Sequence, residues 1–428
     1  MHNVHFIFPP LAEHSVHGPF LAPYLLSTLL SENKWIVQTD DLNIQLVHFL
    51  LKKNTLTELS HSCSPENEKS KYLFHISEYT DEEIQQFSTD VKIRILQIIR
   101  KLFFKVPGNL EECFTENRSY PIIIERFFNR LITTNKLNNA DILAFSVPFA
   151  EQIPETLYIS KLIKKQNPGV KIIIGGSQVN LLGQEAHDLF LQCNLFDCIC
   201  RGDFTSEIET LLEKIVQKSD TKCTIYEAAL VSAQIIENIP ACKYKELPRY
   251  FAPVTFSVLV SKGCYWGKCV FCDYKKISFL KEKQYCVRHL DKVIEEIEQL
   301  QKQNKNARFF LTSDAVPVPW LVKLCDECIN KNIKLNAKLF LLHSNSLNKT
   351  IFRKMADAGI VSVTFGTEHT DENILLLLKK NFTFETICNN IKDAAEEGIE
   401  VIVNIIPDVP GITKKNAEKT LQQLKEMS

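Results

Sequence analysis

The chain lacks any apolar run approaching the roughly 18 residues that a membrane span requires. Its start, Met1-His2-Asn3-Val4-His5-Phe6-Ile7-Phe8-Pro9-Pro10, has no charged region, no long apolar core and no small-residue cleavage site. That start reads as a first strand closed by a Pro-Pro turn, not as a secretion signal. Excess charge is also missing. Fifty Lys and Arg stand against 51 Asp and Glu, a formal net charge of −1. This balance gives no general electrostatic grip on bulk nucleic acid or anionic membrane. Cysteine is too sparse for a disulfide scaffold, 14 in 428 residues. Without a secretion signal, reduced thiols and a cytoplasmic location are expected. Hydrophobic content of 45% and charged content of 24% are ordinary for a soluble globular protein. The length suits about two to three domains.

What is present is the run Ser261-Lys262-Gly263-Cys264-Tyr265-Trp266-Gly267-Lys268-Cys269-Val270-Phe271-Cys272-Asp273-Tyr274. Cys264, Cys269 and Cys272 follow an apolar, strand-like stretch, Val254–Val260. Three thiols in so short a loop can hold three irons of a cubane cluster. The fourth iron is then free to bind a small molecule, whereas a fourth cysteine would close it. The alternative is a zinc site, which needs a fourth Cys or His nearby, with His289 a weak candidate. A second pair, Cys325-Asp326-Glu327-Cys328, lies in a helix-like stretch (Leu321–Asn330) without a third ligand and reads as structural.

The first two-fifths alternate strand candidates (Val4–Phe8, Trp35–Thr39, Asp141–Val147, Val170–Ile174, Phe196–Cys200) with helical stretches such as Pro154–Gln166. Such alternation implies a doubly wound parallel sheet. Residues 43–136 break the rhythm. Their amphipathic runs, Asp81–Lys105 and Tyr120–Leu131, suggest a helical insertion. Residues 216–253 hold Pro240, Pro248 and Pro253 and no sustained period, and read as a connector. From Val254 the alternation restarts. Strands are expected at Val254–Val260, Arg308–Thr312, Lys334–Phe340, Val361–Phe365 and Val401–Ile406. Helices are expected at Leu290–Asn304, Trp320–Asn330, Lys349–Ala358, Asp371–Lys379 and Phe384–Glu397. Five β/α units fit a partial TIM-like barrel. The expected domains are thus 1–215, a connector at 216–253, and 254–428.

Ligands of doubly wound sheets bind beyond the carboxyl ends of the strands. At those positions stand Ser146-Val147-Pro148-Phe149, Gly175-Gly176-Ser177 and Arg201-Gly202-Asp203, and paired glycines let backbone approach a ligand closely. This ordered set, centred on Asn167-Pro168-Gly169-Val170-Lys171-Ile172-Ile173-Ile174-Gly175-Gly176-Ser177, resembles the cobalamin-binding domain placed before many radical S-adenosylmethionine (SAM) enzymes. The resemblance implies that Ser146, Pro148, Phe149, Gly175, Gly176, Ser177, Arg201, Gly202 and Asp203 contact cobalamin. Classical cobalamin domains carry Asp-x-His-x-x-Gly. Here Glu13-His14-Ser15-Val16-His17-Gly18 has a different spacing, so no lower axial histidine is expected from it.

The second half resembles the radical SAM superfamily. The resemblance rests on Gly263 through Cys272, with Phe271 before the last cysteine, on Phe365-Gly366-Thr367-Glu368, and on Val403-Asn404-Ile405-Ile406-Pro407-Asp408-Val409-Pro410-Gly411. The commonest family spacing is Cys-x3-Cys-x2-Cys. Here it is one residue longer, and Trp266-Gly267 can absorb the extra residue in a turn. The resemblance implies a [4Fe-4S] cluster on Cys264, Cys269 and Cys272 whose open iron takes SAM. It further implies SAM contacts from Phe271, Ser313, Asp314, Glu368 and Ile405. Asp314 and Glu368 could equally cap the helices that follow. Arg308 and Lys338 receive no role, and no residue is assigned as the catalytic acid or base. Family members usually have a sixth barrel strand, so a fragment or a short member is expected.

The leading expectation is a cobalamin-dependent methyltransferase acting on an unactivated carbon. It would take a small-molecule or peptide substrate and an electron donor such as flavodoxin or ferredoxin. A rearrangement enzyme, an N-terminal module that binds substrate instead of cobalamin, and a non-catalytic iron-sulfur sensor remain open.

Overall fold

The computed structural model describes residues 1–11, 15–64, 67–105, 107–115, 118–217, 222–244, 247, 250–281 and 285–427. These form two compact units. One comprises Met1–Ala229 with Cys242–Ala252, the other Leu230–Ala241 with Pro253–Ser428.

The first unit is built on a six-stranded sheet of β1 (His2–Phe8), β2 (Trp35–Asp41), β3 (Ile142–Ser146), β4 (Lys171–Gly175), β5 (Cys198–Arg201) and β6 (Thr224–Glu227). The order is β2-β1-β3-β4-β5-β6 and every pairing is parallel. The central strands are apolar on both faces, as a sheet covered by helices on two sides demands. Ile142, Leu143 and Phe145 of β3 and Ile172 to Ile174 of β4 are buried. The strand order reverses between β1 and β3, and the crevice for a ligand lies there in such sheets. The helix Ile153–Gln166 starts with a proline in its first turn and buries Ile153, Leu157, Ile159 and Ile163.

The described residues of the stretch 43–136 hold a series of helices, as expected, but the run Asp81–Lys105 contains two, Asp81–Gln86 and Thr89–Phe103. Thr80 and Glu83 form a reciprocal capping box for the first. The Ser88 side chain accepts from the Val91 amide and starts the second. Periodicity continues through the break, so only the cap residues reveal it. The stretch 216–253 contains β6 and a short helix, Ala233–Glu237.

The second unit has a five-stranded parallel sheet of β7 (Thr255–Leu259), β10 (Arg308–Thr312), β11 (Ala337–Leu341), β12 (Ile360–Glu368) and β13 (Glu400–Ile405). Between β7 and β10 lies an antiparallel ribbon of β8 (Ser261–Gly263) and β9 (Tyr285–Val287). Helices alternate with the strands. Leu290–Gln303 buries Val293, Ile294, Ile297 and Leu300, a stripe at helical spacing. This is the five-unit β/α series expected from the sequence. Among the described residues no helix is long and apolar enough to cross a membrane.

Candidate functional site

The cysteine loop leaves the carboxyl end of β7 through β8. Cys264, Cys269 and Cys272 are each partly buried and free of disulfides. Gly267 takes a left-handed φ of +54°, a turn within the longer first spacing. The loop is fastened at two points. The Trp266 indole Nε1 donates to the Lys379 carbonyl (2.8 Å), and the Val270 amide donates to the Leu378 carbonyl (3.4 Å).

Burial pushes the Cys269 and Cys272 thiols up, and charge on neighbouring cysteines adds to this. For both, Lys380 acts in the opposite sense. Among the described residues, no three His, Cys, Asp or Glu side chains are grouped so as to hold a single metal ion. A set of sulfur donors that feel one another, in a half-buried loop, fits an iron-sulfur cluster.

The carboxyl ends of the neighbouring strands supply the rest. Asp314, after β10, is pushed up to about 6 by burial, against a hydrogen bond from the Gly263 amide and the charge of Lys262. Its charge also helps to raise Tyr274 to about 12, after burial and ahead of Cys272 and Cys264. Asp314 therefore shares the surroundings of the thiols. The buried Ser313 Oγ has no hydrogen-bond partner, a polar atom that a ligand can satisfy.

Glu368 ends β12 beyond a register shift and has a left-handed φ of +64°. Such a backbone costs about 1–3 kcal/mol and persists where the surroundings over-determine it. Two contacts hold it. The Ile406 amide donates to its carbonyl (2.8 Å), and Lys380 Nζ donates to its Oε1 (3.1 Å). Lys380 also donates to the Gly366 carbonyl (3.0 Å) and lies 5.4 Å from the centre of the Phe271 ring. Ile405 pairs with Glu368 in register and is half-buried. The structure thus sets Phe271 and Glu368 on one lysine, with Ile405 beside Glu368 in the sheet, and brings Asp314, which follows Ser313, into the surroundings of the thiols. Arg308 begins β10, at the opposite end of the sheet. The Lys338 ammonium covers Phe310 (5.7 Å).

In the first unit the nine residues expected to contact cobalamin lie along one edge, at the carboxyl ends of β3, β4 and β5. Phe149 stands edge-on to Phe20 (6.1 Å), which stacks on Phe8 (4.8 Å), and Ser146 is buried beside Gly175. The glycines answer first to the protein itself. A Cβ on Gly176, whose φ is +110°, would lie 2.7 Å from the Val147 amide nitrogen and carbonyl oxygen. One on Gly202 would lie 2.9 Å from the Ala228 Cβ. Arg201 pairs with Glu227 across to β6 (2.7 Å). Asp203 accepts from the Thr205 amide (2.7 Å). His17 stands edge-on to Phe251 (6.3 Å); Glu13 and His14 lie outside the described residues.

Residues 258–424 match the Radical SAM superfamily. They form a radical SAM domain. An uncharacterized methyltransferase of Pyrococcus horikoshii is 22% identical over 290 residues, 63% of this chain and 61% of the relative. The hopanoid C-3 methylase of Methylococcus capsulatus is 21% identical over 288 residues, 63% of this chain and 53% of the relative. The chain thus spans between half and about three fifths of the curated relatives it matches. The fold is similar to that of TsrM, a radical SAM methyltransferase of Kitasatospora setae, solved with tryptophan and a SAM analogue. The TM-score is 0.62 at 15% identity, covering 100% of this chain and 72% of that one. A second TsrM structure, with cobalamin and a [4Fe-4S] cluster bound, gives 0.61 at 14% identity, covering 100% and 73%.

Within the radical SAM domain, Lys380 is the residue that sequence reasoning missed. A lysine in Leu376-Leu377-Leu378-Lys379-Lys380 reads as a helix-end surface charge. Its burial depends on Glu368, twelve residues earlier, and no local pattern marks that pairing.

Proposed function

We propose that the chain is a radical SAM enzyme that uses cobalamin to methylate an unactivated carbon, with its cluster held by Cys264, Cys269 and Cys272. The observation that carries the reading is the sulfur-only donor set, pinned by Trp266 and Val270 beside the Glu368–Lys380 pair. When bound, the cluster supplies a low-potential electron and an open iron for SAM, and cobalamin carries the methyl group.

The chain's own residues position and exclude. Phe271 offers a 40% exposed ring at the loop, where an adenine can stack. The orphaned Ser313 hydroxyl and the Asp314 carboxyl offer polar partners to the amino or ribose groups of SAM. Lys380, buried and balanced by Glu368, places a fixed cation beside the cluster loop. Ile405 adds an apolar wall next to Glu368. The carboxyl edge at β3, β4 and β5 takes the corrin, with Phe149 and Phe20 as its aromatic flank. Similarity to methyltransferases favours methyl transfer.

The test is anaerobic reconstitution with iron, sulfide and cobalamin, for the wild type and a Cys264→Ala, Cys269→Ala, Cys272→Ala variant. The wild type should bind cluster and cobalt, cleave SAM, and add one methylene mass to its product. The variant should lose cluster and cleavage yet keep cobalamin. Retained cleavage in the variant refutes the cluster site. An iron-sulfur spectrum without bound cobalamin at micromolar supply refutes the cobalamin half.

A further inference from the structure

Glu368 stands in a left-handed conformation, and the buried groups next to it show what holds it there. Thr367, the residue before it, is fully buried, and its Oγ1 lies 2.8 Å from His343 Nε2. His343 follows β11 and is itself buried. Its ring is fixed on both sides. It stacks on Phe365 with ring centres 4.2 Å apart and planes 9° apart, and it stands edge-on to Phe382 (5.0 Å).

The proton on this imidazole can be placed from its partners. Asn390, in the helix Phe384–Glu396, donates through Nδ2 to the Ser344 carbonyl (3.1 Å) and the Leu347 carbonyl (3.4 Å). Its Oδ1 accepts from the Ser344 amide (2.9 Å) and also faces His343 Nδ1 (3.4 Å). An oxygen that can only accept requires Nδ1 to carry the hydrogen. Nε2 is then the acceptor, and the Thr367 hydroxyl donates to it. Burial, helped by the charge of Lys380, pushes the imidazole down to about 3 against the bond to Asn390, so the ring stays neutral. Three consecutive residues at the end of β12 are thus tied from two sides. Lys380 binds the Gly366 carbonyl and the Glu368 carboxylate, and His343 binds the Thr367 side chain between them.

We propose that His343 is a positioning residue of the SAM site. Through the Thr367 hydroxyl it fixes the strained end of β12, so that the Glu368 carboxylate is already in place to meet a donor group of SAM, its ammonium or ribose hydroxyls. The role rests on the SAM site proposed above, with Glu368 as a contact. The histidine acts through Thr367 and does not itself touch SAM, and no proton moves. A carboxylate held in advance is ordered at folding, and SAM binding is spared that cost. With the tie cut, the strained backbone at Glu368 relaxes and the carboxylate leaves its place.

Equilibrium dialysis of SAM against the anaerobically reconstituted protein, with iron content and Tm measured for each variant, tests this. Thr367→Val keeps the shape and deletes the donor, and His343→Phe keeps a stacked ring and deletes the acceptor. Each should weaken SAM binding by about tenfold at unchanged iron content. The double variant should bind no more weakly than either single one, because both cut the same bond. Thr367→Ser, which restores the hydroxyl, should bind as the wild type does. Should His343→Phe not fold, the contrast between Thr367→Val and Thr367→Ser decides alone. Variants with a lower Tm but an unchanged SAM dissociation constant would show a purely structural tie and overturn the proposal, as would losses that add in the double variant. Glu368→Gln separates the two levels. If it alone weakens SAM binding, the site stands and the positioning role falls. If it binds SAM as tightly as the wild type, Glu368 is not a contact and both fall.

Discussion

Asp41, at the end of β2, is 2% exposed. It accepts from Tyr250 Oη (2.7 Å) and the Ile44 amide (2.9 Å), which caps the helix Leu42–Leu50. Burial outweighs these bonds and lifts the carboxyl from 3.8 to about 6. A raised acid keeps its proton on folding, so its contribution is full below pH 4 and fades as pH climbs through 6. The interval between 3.8 and about 6 corresponds to about 3 kcal/mol. In urea unfolding across pH 4 to 7, the wild type should lose up to about 3 kcal/mol relative to Asp41→Asn. A pH-independent difference between the two would show that the carboxyl is already ionised at pH 4. The glycines at the carboxyl edge carry a lesson at the same scale. In sequence, Gly175-Gly176 suggests room for a ligand, whereas Gly176 is required because the Val147 backbone already occupies the space of a side chain. A sequence marks a close approach without saying what approaches.

At the scale of elements, the strands and helices of both alternating series could be read because burial on two faces leaves near-continuous apolar runs. Arg308–Thr312 and Lys349–Ala358 coincide with their expected bounds. The elements that could not be read are short. β6 is four residues with no buried member, and β8 and β9 are three residues each. Such segments carry too little hydrophobic pattern and form only when a neighbour supplies hydrogen bonds. The cysteines were legible because their spacing is local. Lys380 was not, because a buried ion pair is a tertiary event. The cluster loop is itself such an element, shaped by its bonds to the turn at Leu378–Lys379. Trp266→Phe keeps the ring and deletes the donor. It should weaken the loop by about 1 kcal/mol, seen as about fivefold faster iron loss to a chelator with all three cysteines in place. An unchanged rate would mean that the tie to Lys379 does not govern the loop.

On the scale of the whole molecule, two parallel sheets stand in one chain, and the residues proposed to meet ligands lie at strand carboxyl ends in each. The alternation of strands and helices foretold both sheets. The fold likeness to TsrM extends over all of this chain. The residues at each edge differ in character. The first edge is backbone-rich and aromatic, suited to a large planar macrocycle. The second holds thiols, a carboxyl and a buried lysine, suited to a metal cluster and a charged sulfonium. The account depends on the second edge leaving one iron without a protein ligand. Mössbauer spectroscopy of the protein reconstituted with ⁵⁷Fe, recorded with and without SAM, tests this most directly. One iron in four should change its isomer shift on adding SAM, while the other three stay as they were. Four irons that all ignore SAM would contradict the account.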